Sequence, residues 1–296
     1  MTRKVLGIIP AVVTPFNEDG SINVELLDKE LEFLANSGAN GLSVGGSTGE
    51  GPTLHDDELR LILRNARKFM RDDMPLVCGV LRTCTRDAVQ SCLVAKAEGA
   101  DAVMVTPPAY NVLVPDEDGM FDFYKTISEK VQLPIIIYNV VPQNTIQPSL
   151  FSRLLDETEW VYGVKQSVGS ISAFYAMIRY CGDKGKIFAA TDDMLATCFE
   201  LGAAGSISAI LSVFPKECVE MWNLVQAGKT REALEIQDRL YIPWQSIGGS
   251  QFPIRMKYAF QIMGRNLGFC RSPIVHLSEE EKAHIKTAID SIKKPS

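Results

Sequence analysis

The chain has 296 residues, 46% hydrophobic and 22% charged, which suits a soluble globular protein with a sizeable core. A formal net charge of -6 and a pI near 5.3, with no run of Lys or Arg, argue against nucleic acid as a partner. No segment has the ~20 consecutive apolar residues that span a bilayer, and Met1-Thr2-Arg3-Lys4 leads into an apolar stretch broken at Pro10, too short and irregular for a secretory leader, so neither membrane nor secretion is expected.

Short apolar runs alternate with segments of helical period along most of the chain. The first run, 6–13, is followed by a stripe of Val24, Leu27, Leu31 and Leu34 that stops at Gly38. Run 41–44 leads to a second stripe, Leu59, Ile62, Leu63, Ala66, Phe69 and Met70. Run 75–80 precedes a helical segment over 87–98, ended by Gly99. Further runs follow at 102–106, 134–139, 161–165, 186–190 and 205–209. Several, such as Ile135-Ile136-Ile137 and Ala102-Val103-Met104-Val105, are apolar without alternation, as parallel strands buried on both faces are.

Eight strand–helix units with right-handed crossovers predict a closed (β/α)8 barrel, an α/β fold of TIM-barrel type. The alternative, an open doubly wound sheet, lacks its GxGxxG fingerprint. After Pro215 the strand signals fade into helices expected at 216–227, 230–247, 253–266 and after His276, with Ser278 and Glu281 as a capping box for the last. The expected division is a barrel over 1–225 and a C-terminal helical extension over 226–296, packed on the barrel and not an independent domain.

Seven cysteines, Cys78, Cys84, Cys92, Cys181, Cys198, Cys218 and Cys270, are odd in number, scattered and without CxxC spacing, which fits reduced thiols in the cytoplasm. His55, His276 and His284 pair with no other ligand at metal spacing, so no metal site is expected. No histidine stands ready for a Ser-His-Asp triad.

A barrel carries its site at the carboxyl ends of its strands. There the chain offers Gly45-Gly46-Ser47-Thr48-Gly49-Glu50-Gly51 after the second strand and Tyr110-Asn111 beyond the fourth. Tyr138-Asn139 ends the fifth, Lys165 the sixth and Asp192-Asp193 follow the seventh, while Ser206, Ile207 and Ser208 belong to the eighth. A lysine past a strand end is most often a solvated surface residue. Placed among apolar neighbours, its amine loses water, which favours the neutral, nucleophilic form that attacks ketones. The glycine-rich loop reads either as an anion cradle or as a tight turn, and lacks the Gly-Lys-Ser/Thr ending of a P-loop. Tyr138 reads either as a functional phenol or as a core aromatic, and Asp192 and Asp193 either as site carboxylates or as caps of the following helix. An amine, a phenol and an anion-binding loop converging on one rim favour the functional alternatives.

These residues resemble the dihydrodipicolinate synthase/N-acetylneuraminate lyase family. The likeness runs from Gly7-Ile8-Ile9-Pro10 through Thr14-Pro15-Phe16, Gly46-Ser47-Thr48-Gly49-Glu50, Val105-Thr106-Pro107, Tyr138-Asn139-Val140 and Gly163-Val164-Lys165. It implies a Schiff base between Lys165 and pyruvate or a related 2-oxo acid, with no metal or organic cofactor, usually in a homotetramer. It makes Ser47 and Thr48 the holders of the 2-oxo acid carboxylate and Tyr138 the proton shuttle. Tyr110 matches a tyrosine that, in the synthase branch, reaches a neighbouring subunit's relay. The candidate catalytic set is Lys165, Tyr138, Thr48 and Tyr110. The candidate substrate-binding set is Ser47, Thr48, Gly49, Asn144, Asp192, Ile207 and Ser208.

The chain departs from the synthase pattern after the fifth strand. Synthases typically carry Tyr-Asn-Val-Pro-x-Arg-Thr-Gly, whose arginine anchors the second substrate's carboxylate. Here Tyr138-Asn139-Val140-Val141-Pro142-Gln143-Asn144-Thr145-Ile146 has no arginine, and a neutral amide gives no bidentate charge-assisted contact. Arg82, after the third strand, is the one cation considered as a substitute. The expected function is therefore a Schiff-base lyase or aldolase of a catabolic branch, acting on a keto-deoxy sugar acid or a hydroxypyrroline carboxylate. The alternatives are 4-hydroxy-tetrahydrodipicolinate synthase, N-acetylneuraminate lyase, whose acidic and hydroxyl set Asp192, Asp193 and Ser208 partly match, and a non-catalytic keto-acid binder.

Overall fold

Eight short strands, nearly all of their residues buried, pair in parallel and curl into a barrel. They are β1 (Gly7–Pro10), β2 (Leu42–Val44), β3 (Leu76–Val80), β4 (Ala102–Val105), β5 (Ile135–Asn139), β6 (Val161–Gln166), β7 (Lys186–Ala189) and β8 (Gly205–Ser208). The computed structural model describes residues 3–274 and 276–292. Met1 and Thr2, of the opening in which no secretory leader is expected, and residues 293–296 of the expected extension lie outside the described residues. The strand order β1-β8-β7-β6-β5-β4-β3-β2 is closed between its two ends by a parallel bridge from Ala11 to Ser43 and by the Val12 amide donating to the Ser43 carbonyl at 2.8 Å.

Strand periodicity then sorts side chains into two layers. Ile9, Val77, Met104, Ile136, Tyr138, Phe188 and Ile207 fill the barrel. Ile8, Cys78, Val103, Ile137, Val164 and Ile187 face outward into the core shared with the helices.

The helices are α1 (Val24–Ala35), α2 (Asp56–Phe69), α3 (Thr85–Ala97), α4 (Glu117–Val131), α5 (Pro148–Glu157), α6 (Ile171–Cys181), α7 (Leu195–Glu200), α8 (Ile210–Val213), α9 (Pro215–Gln226), α10 (Thr230–Ile247), α11 (Phe252–Ile262) and α12 (Glu279–Ile292). Asn23 caps α1 by accepting from the Leu26 amide, and the buried stripe begins at Leu27, since Val24 in the first turn is exposed. Met70 likewise follows the last turn of α2. The helix expected over 253–266 stops at Ile262, with Gly264 at φ +83 turning the chain away. Ser278 and Glu281 form the reciprocal cap of α12. The extension is bound to the barrel by hydrogen bonds as well as by packing: Arg265 donates to the Ser212 carbonyl at 2.8 Å and to buried Glu30 at 3.3 Å. Among the described residues no helix is long and apolar enough to cross a membrane. All seven cysteines are free.

Candidate active site

Tyr138, Lys165 and Phe188 are register partners on β5, β6 and β7 and therefore share the inner face. Phe188 closes the layer with apolar bulk, while Lys165, at 5% exposure, carries its amine to the rim. Its Nζ lies 3.9 Å from the centroid of the Tyr138 ring. The Tyr138 hydroxyl donates to Ser47 Oγ at 3.1 Å, which joins the β5 rim to the glycine-rich loop on the far side of the barrel mouth.

That loop is one tight turn over Ser47–Gly49. It closes because Gly45 sits at φ +70 and because a Cβ on Gly51 would lie 1.9 Å from the Gly45 carbonyl oxygen, so neither position admits a side chain. The amides of Gly49 and Gly51 turn back onto the Gly46 carbonyl at 3.1 and 2.9 Å, and that of Glu50 onto Ser47 at 3.1 Å. The amides of Ser47 and Thr48 open the turn, where no carbonyl of the same turn reaches them.

Thr48, Tyr138, Lys165, Asp192 and Ser208 border one cavity of about 220 Å³. Asp192 accepts from the Ile210 amide at 2.9 Å, so it caps α8 and not the helix that follows it directly. Burial pushes its carboxyl up to about 6, against the lowering effects of that amide, Lys165 and Ser208. A larger cavity, about 480 Å³, lies between α11 and the segment before α12 and gathers none of the candidate side chains.

Five candidates stand off the cavity wall. Ser47 does not border it, but its Oγ accepts from the hydroxyl of Tyr138, which does. Gly49 faces β1: its carbonyl accepts from Thr14 Oγ1 at 2.8 Å and a Cβ there would lie 2.9 Å from the Val12 carbonyl oxygen. Ile207 lies in the filled layer beneath. Asn144 donates its amide to the Pro108 carbonyl at 3.0 Å, stitching the β5 loop to the β4 loop. Gln143 does the same with the Ala109 carbonyl at 2.7 Å. Tyr110 is 60% exposed beside Val112 and Leu113, outside this chain's cavity. Arg82 is no substitute for the missing arginine: it donates to Ser91 Oγ, the Leu54 carbonyl and Asp56, in a separate hollow between α2 and α3. Asp193 turns to Gln245 at 2.8 Å.

Sequence reasoning missed part of the border. Trp244, Gly248, Gly249 and Phe252, from the α10–α11 junction, border the same cavity as Lys165. The signal was the Gly248-Gly249 pair interrupting two helical stretches between aromatics. Ser167 was also missed. Its Oγ is buried, has no partner among the described residues and belongs to a residue of the cavity wall, so a ligand oxygen would satisfy it.

A family model described as the dihydrodipicolinate synthetase family matches residues 4–292. A 4-hydroxy-tetrahydrodipicolinate synthase of Bartonella bacilliformis is 33% identical over 290 residues, 96% of each chain. A chloride-inhibited dihydrodipicolinate synthase from Acinetobacter baumannii, solved with pyruvate, matches with a TM-score of 0.92 and 28% identity over 98% of this chain and 99% of that one. YagE of E. coli K12, a prophage protein of the dihydrodipicolinic acid synthase family also solved with pyruvate, gives a TM-score of 0.91 and 25% identity over 97% of this chain and 98% of its own.

Proposed function

Since the chain belongs to the dihydrodipicolinate synthetase family of class I lyases, we propose that Lys165 forms a Schiff base with a pyruvate-type 2-oxo acid. The observation that carries this is the buried Lys165 amine bordering a cavity of about 220 Å³, beside a Tyr138 phenol that is hydrogen-bonded to Ser47. The amine adds to the keto carbon, water leaves, and an iminium remains. The iminium draws electrons from the neighbouring carbon, so a bond there is made or broken through an enamine. Tyr138 carries protons between the reacting atoms and Ser47. The Ser47 and Thr48 amides and the Thr48 hydroxyl receive the carboxylate. Borohydride reduction in the presence of pyruvate, followed by peptide mapping, tests this: the adduct belongs on Lys165, and one that persists in Lys165→Ala overturns it.

The partner portion is a neutral, hydroxylated chain, as in keto-deoxy sugar acids of a catabolic branch. Thr48, Ser167, Asp192 and Ser208 offer it hydroxyls and a carboxyl, and no arginine borders the cavity among the described residues. Synthase activity is the second assignment, favoured by relatives such as the Bartonella enzyme. A panel of pyruvate with aspartate semialdehyde, N-acetylneuraminate, several 2-keto-3-deoxy sugar acids and hydroxypyrroline carboxylate separates them. Efficient turnover of the semialdehyde with sub-millimolar KM decides for the synthase. The working form is a homotetramer in the cytoplasm: free thiols suit a reducing compartment, and the exposed apolar run through Tyr110, Val112, Leu113 and Val114 suits burial against a second copy.

A further inference from the structure

Lys257 sits on α11, far along the chain from the glycine-rich loop, yet it is 5% exposed and points into the barrel rim. Its ammonium donates to Glu50 Oε1 at 2.8 Å, to the Thr14 carbonyl at 2.8 Å and to the Phe269 carbonyl. All three donors of the ammonium are therefore engaged. The second oxygen of Glu50 accepts from the Arg271 amide at 2.9 Å. The Phe16 ring lies under both cations, 4.9 Å from Lys257 Nζ and 4.3 Å from the Arg271 guanidinium carbon.

Glu50 is also the hinge of the turn that presents Ser47 and Thr48. It follows Gly49 directly and is held at φ 55, ψ 35, a left-handed conformation that a residue with a side chain adopts only where its surroundings hold it there. Thr14 closes the circuit: its carbonyl accepts from Lys257, and its hydroxyl donates to the Gly49 carbonyl at 2.8 Å. A buried pair of this kind is weak evidence for stability, because desolvation offsets the attraction. Its geometric consequence is stronger. The left-handed residue is held from behind by an ammonium supplied by the extension, and the carbonyl before it by Thr14, which the same ammonium grips.

We propose that Lys257 and Glu50 are positioning residues for the 2-oxo acid. They set the pitch of the Ser47–Thr48 turn, and with it the donors for the substrate carboxylate and the acceptor of the Tyr138 hydroxyl. This rests on the Schiff-base function proposed above. Neither side chain borders the site cavity, so both act through the turn.

The test uses full-length Lys257→Met, Glu50→Gln and Glu50→Gly. The last removes the carboxylate while relaxing the left-handed backbone, so it separates anchoring from strain. Each variant is trapped with borohydride across a pyruvate series and melted in parallel. Half-saturation by pyruvate should rise on the order of tenfold to a hundredfold in Lys257→Met and Glu50→Gly, since small misplacements of binding groups cost about that much. Trapping at saturating pyruvate should still reach completion on Lys165. The rise in the double variant Lys257→Met/Glu50→Gly should be no larger than in either single one. Wild-type half-saturation in a folded Glu50→Gly or Lys257→Met, whatever the change in melting temperature, overturns the proposal by reducing the pair to a structural tie. If Lys257→Met does not fold, the two Glu50 variants decide in the same way. No adduct in the wild-type protein refutes the Schiff-base function and removes this proposal with it, whereas a normal wild-type adduct with unshifted variants removes this proposal alone.

Discussion

Tyr138→Phe separates a phenol that moves protons from one that merely packs. The ring is 4% exposed and belongs to the inner layer with Ile136, Phe188 and Ile207, so phenylalanine keeps its contacts. What is lost is one hydrogen bond, from the hydroxyl to Ser47 Oγ at 3.1 Å. Such a bond is worth about 1 kcal/mol net, which bounds both the loss of stability and any loss of ground-state binding to roughly a factor of five. A general acid–base group contributes about 10²–10⁴ in rate, or roughly 3–5 kcal/mol of barrier at 1.36 kcal/mol per tenfold. The two roles differ by enough to be told apart in one experiment. Steady-state turnover with the best substrate of the panel should fall by about 10²–10⁴, with KM moving far less. Melting should shift by only a few degrees. Turnover within about fivefold of wild type, or a loss confined to KM, would refute the proton-transfer role.

Glu30 gives a stability prediction with a sign. Burial raises its carboxyl to about 7 in the fold, Arg265 opposing, against an ordinary value of 4.5. The folded chain keeps a proton that the unfolded chain releases. The associated stability is complete below about 4.5 and lost as pH rises through about 7, a span of about 3 kcal/mol at 1.36 per pKa unit. Glu30→Gln should therefore gain on wild type by about that amount between pH 4.5 and 8 in urea unfolding, and a pH-independent difference would contradict it. Asp192, pushed up to about 6 by burial, is ionised above that pH, the form that would accept substrate hydroxyls on the proposed function. Wild-type kcat/KM should fall below pH 6, and Asp192→Asn should lack that limb; an unchanged limb assigns it to another group. Val112→Asp, at a side chain 75% exposed in the single chain, should weaken self-association. Light scattering of the wild type near 32.6 kDa at micromolar concentration would deny an oligomer outright.

What was legible in the sequence was what local pattern determines. Ile135-Ile136-Ile137 has no polar face, so it marks a strand covered on both sides, and strand order then brings Tyr138 beside Lys165. What stayed hidden depends on partners remote in the chain. Arg82 looks like a spare cation until Asp56 and Ser91 fold against it. Asn144 looks like a ligand for substrate until the β4 loop supplies the Pro108 carbonyl. Asp192 carries the signature of a helix cap, but the amide it takes belongs to Ile210, beyond the next strand. Ile146, where the synthase pattern has glycine, is buried, and its amide is paired with Asn139. Nothing in the helical period of α10 and α11 says which turn of them reaches back over the barrel mouth.

The share of Trp244, Gly248, Gly249 and Phe252 in the cavity border also sets an order of events during synthesis. Lys165 and Tyr138 leave the ribosome early, and the last strand is complete at Ser208. Phe252 follows about forty residues later, which at ~5–20 residues per second is several seconds. Through that interval all eight strands have been made while Trp244, Gly248, Gly249 and Phe252, which complete the border of the Lys165 cavity, have not. The border of the cavity is complete only once Phe252 has been made and the α10–α11 junction has docked.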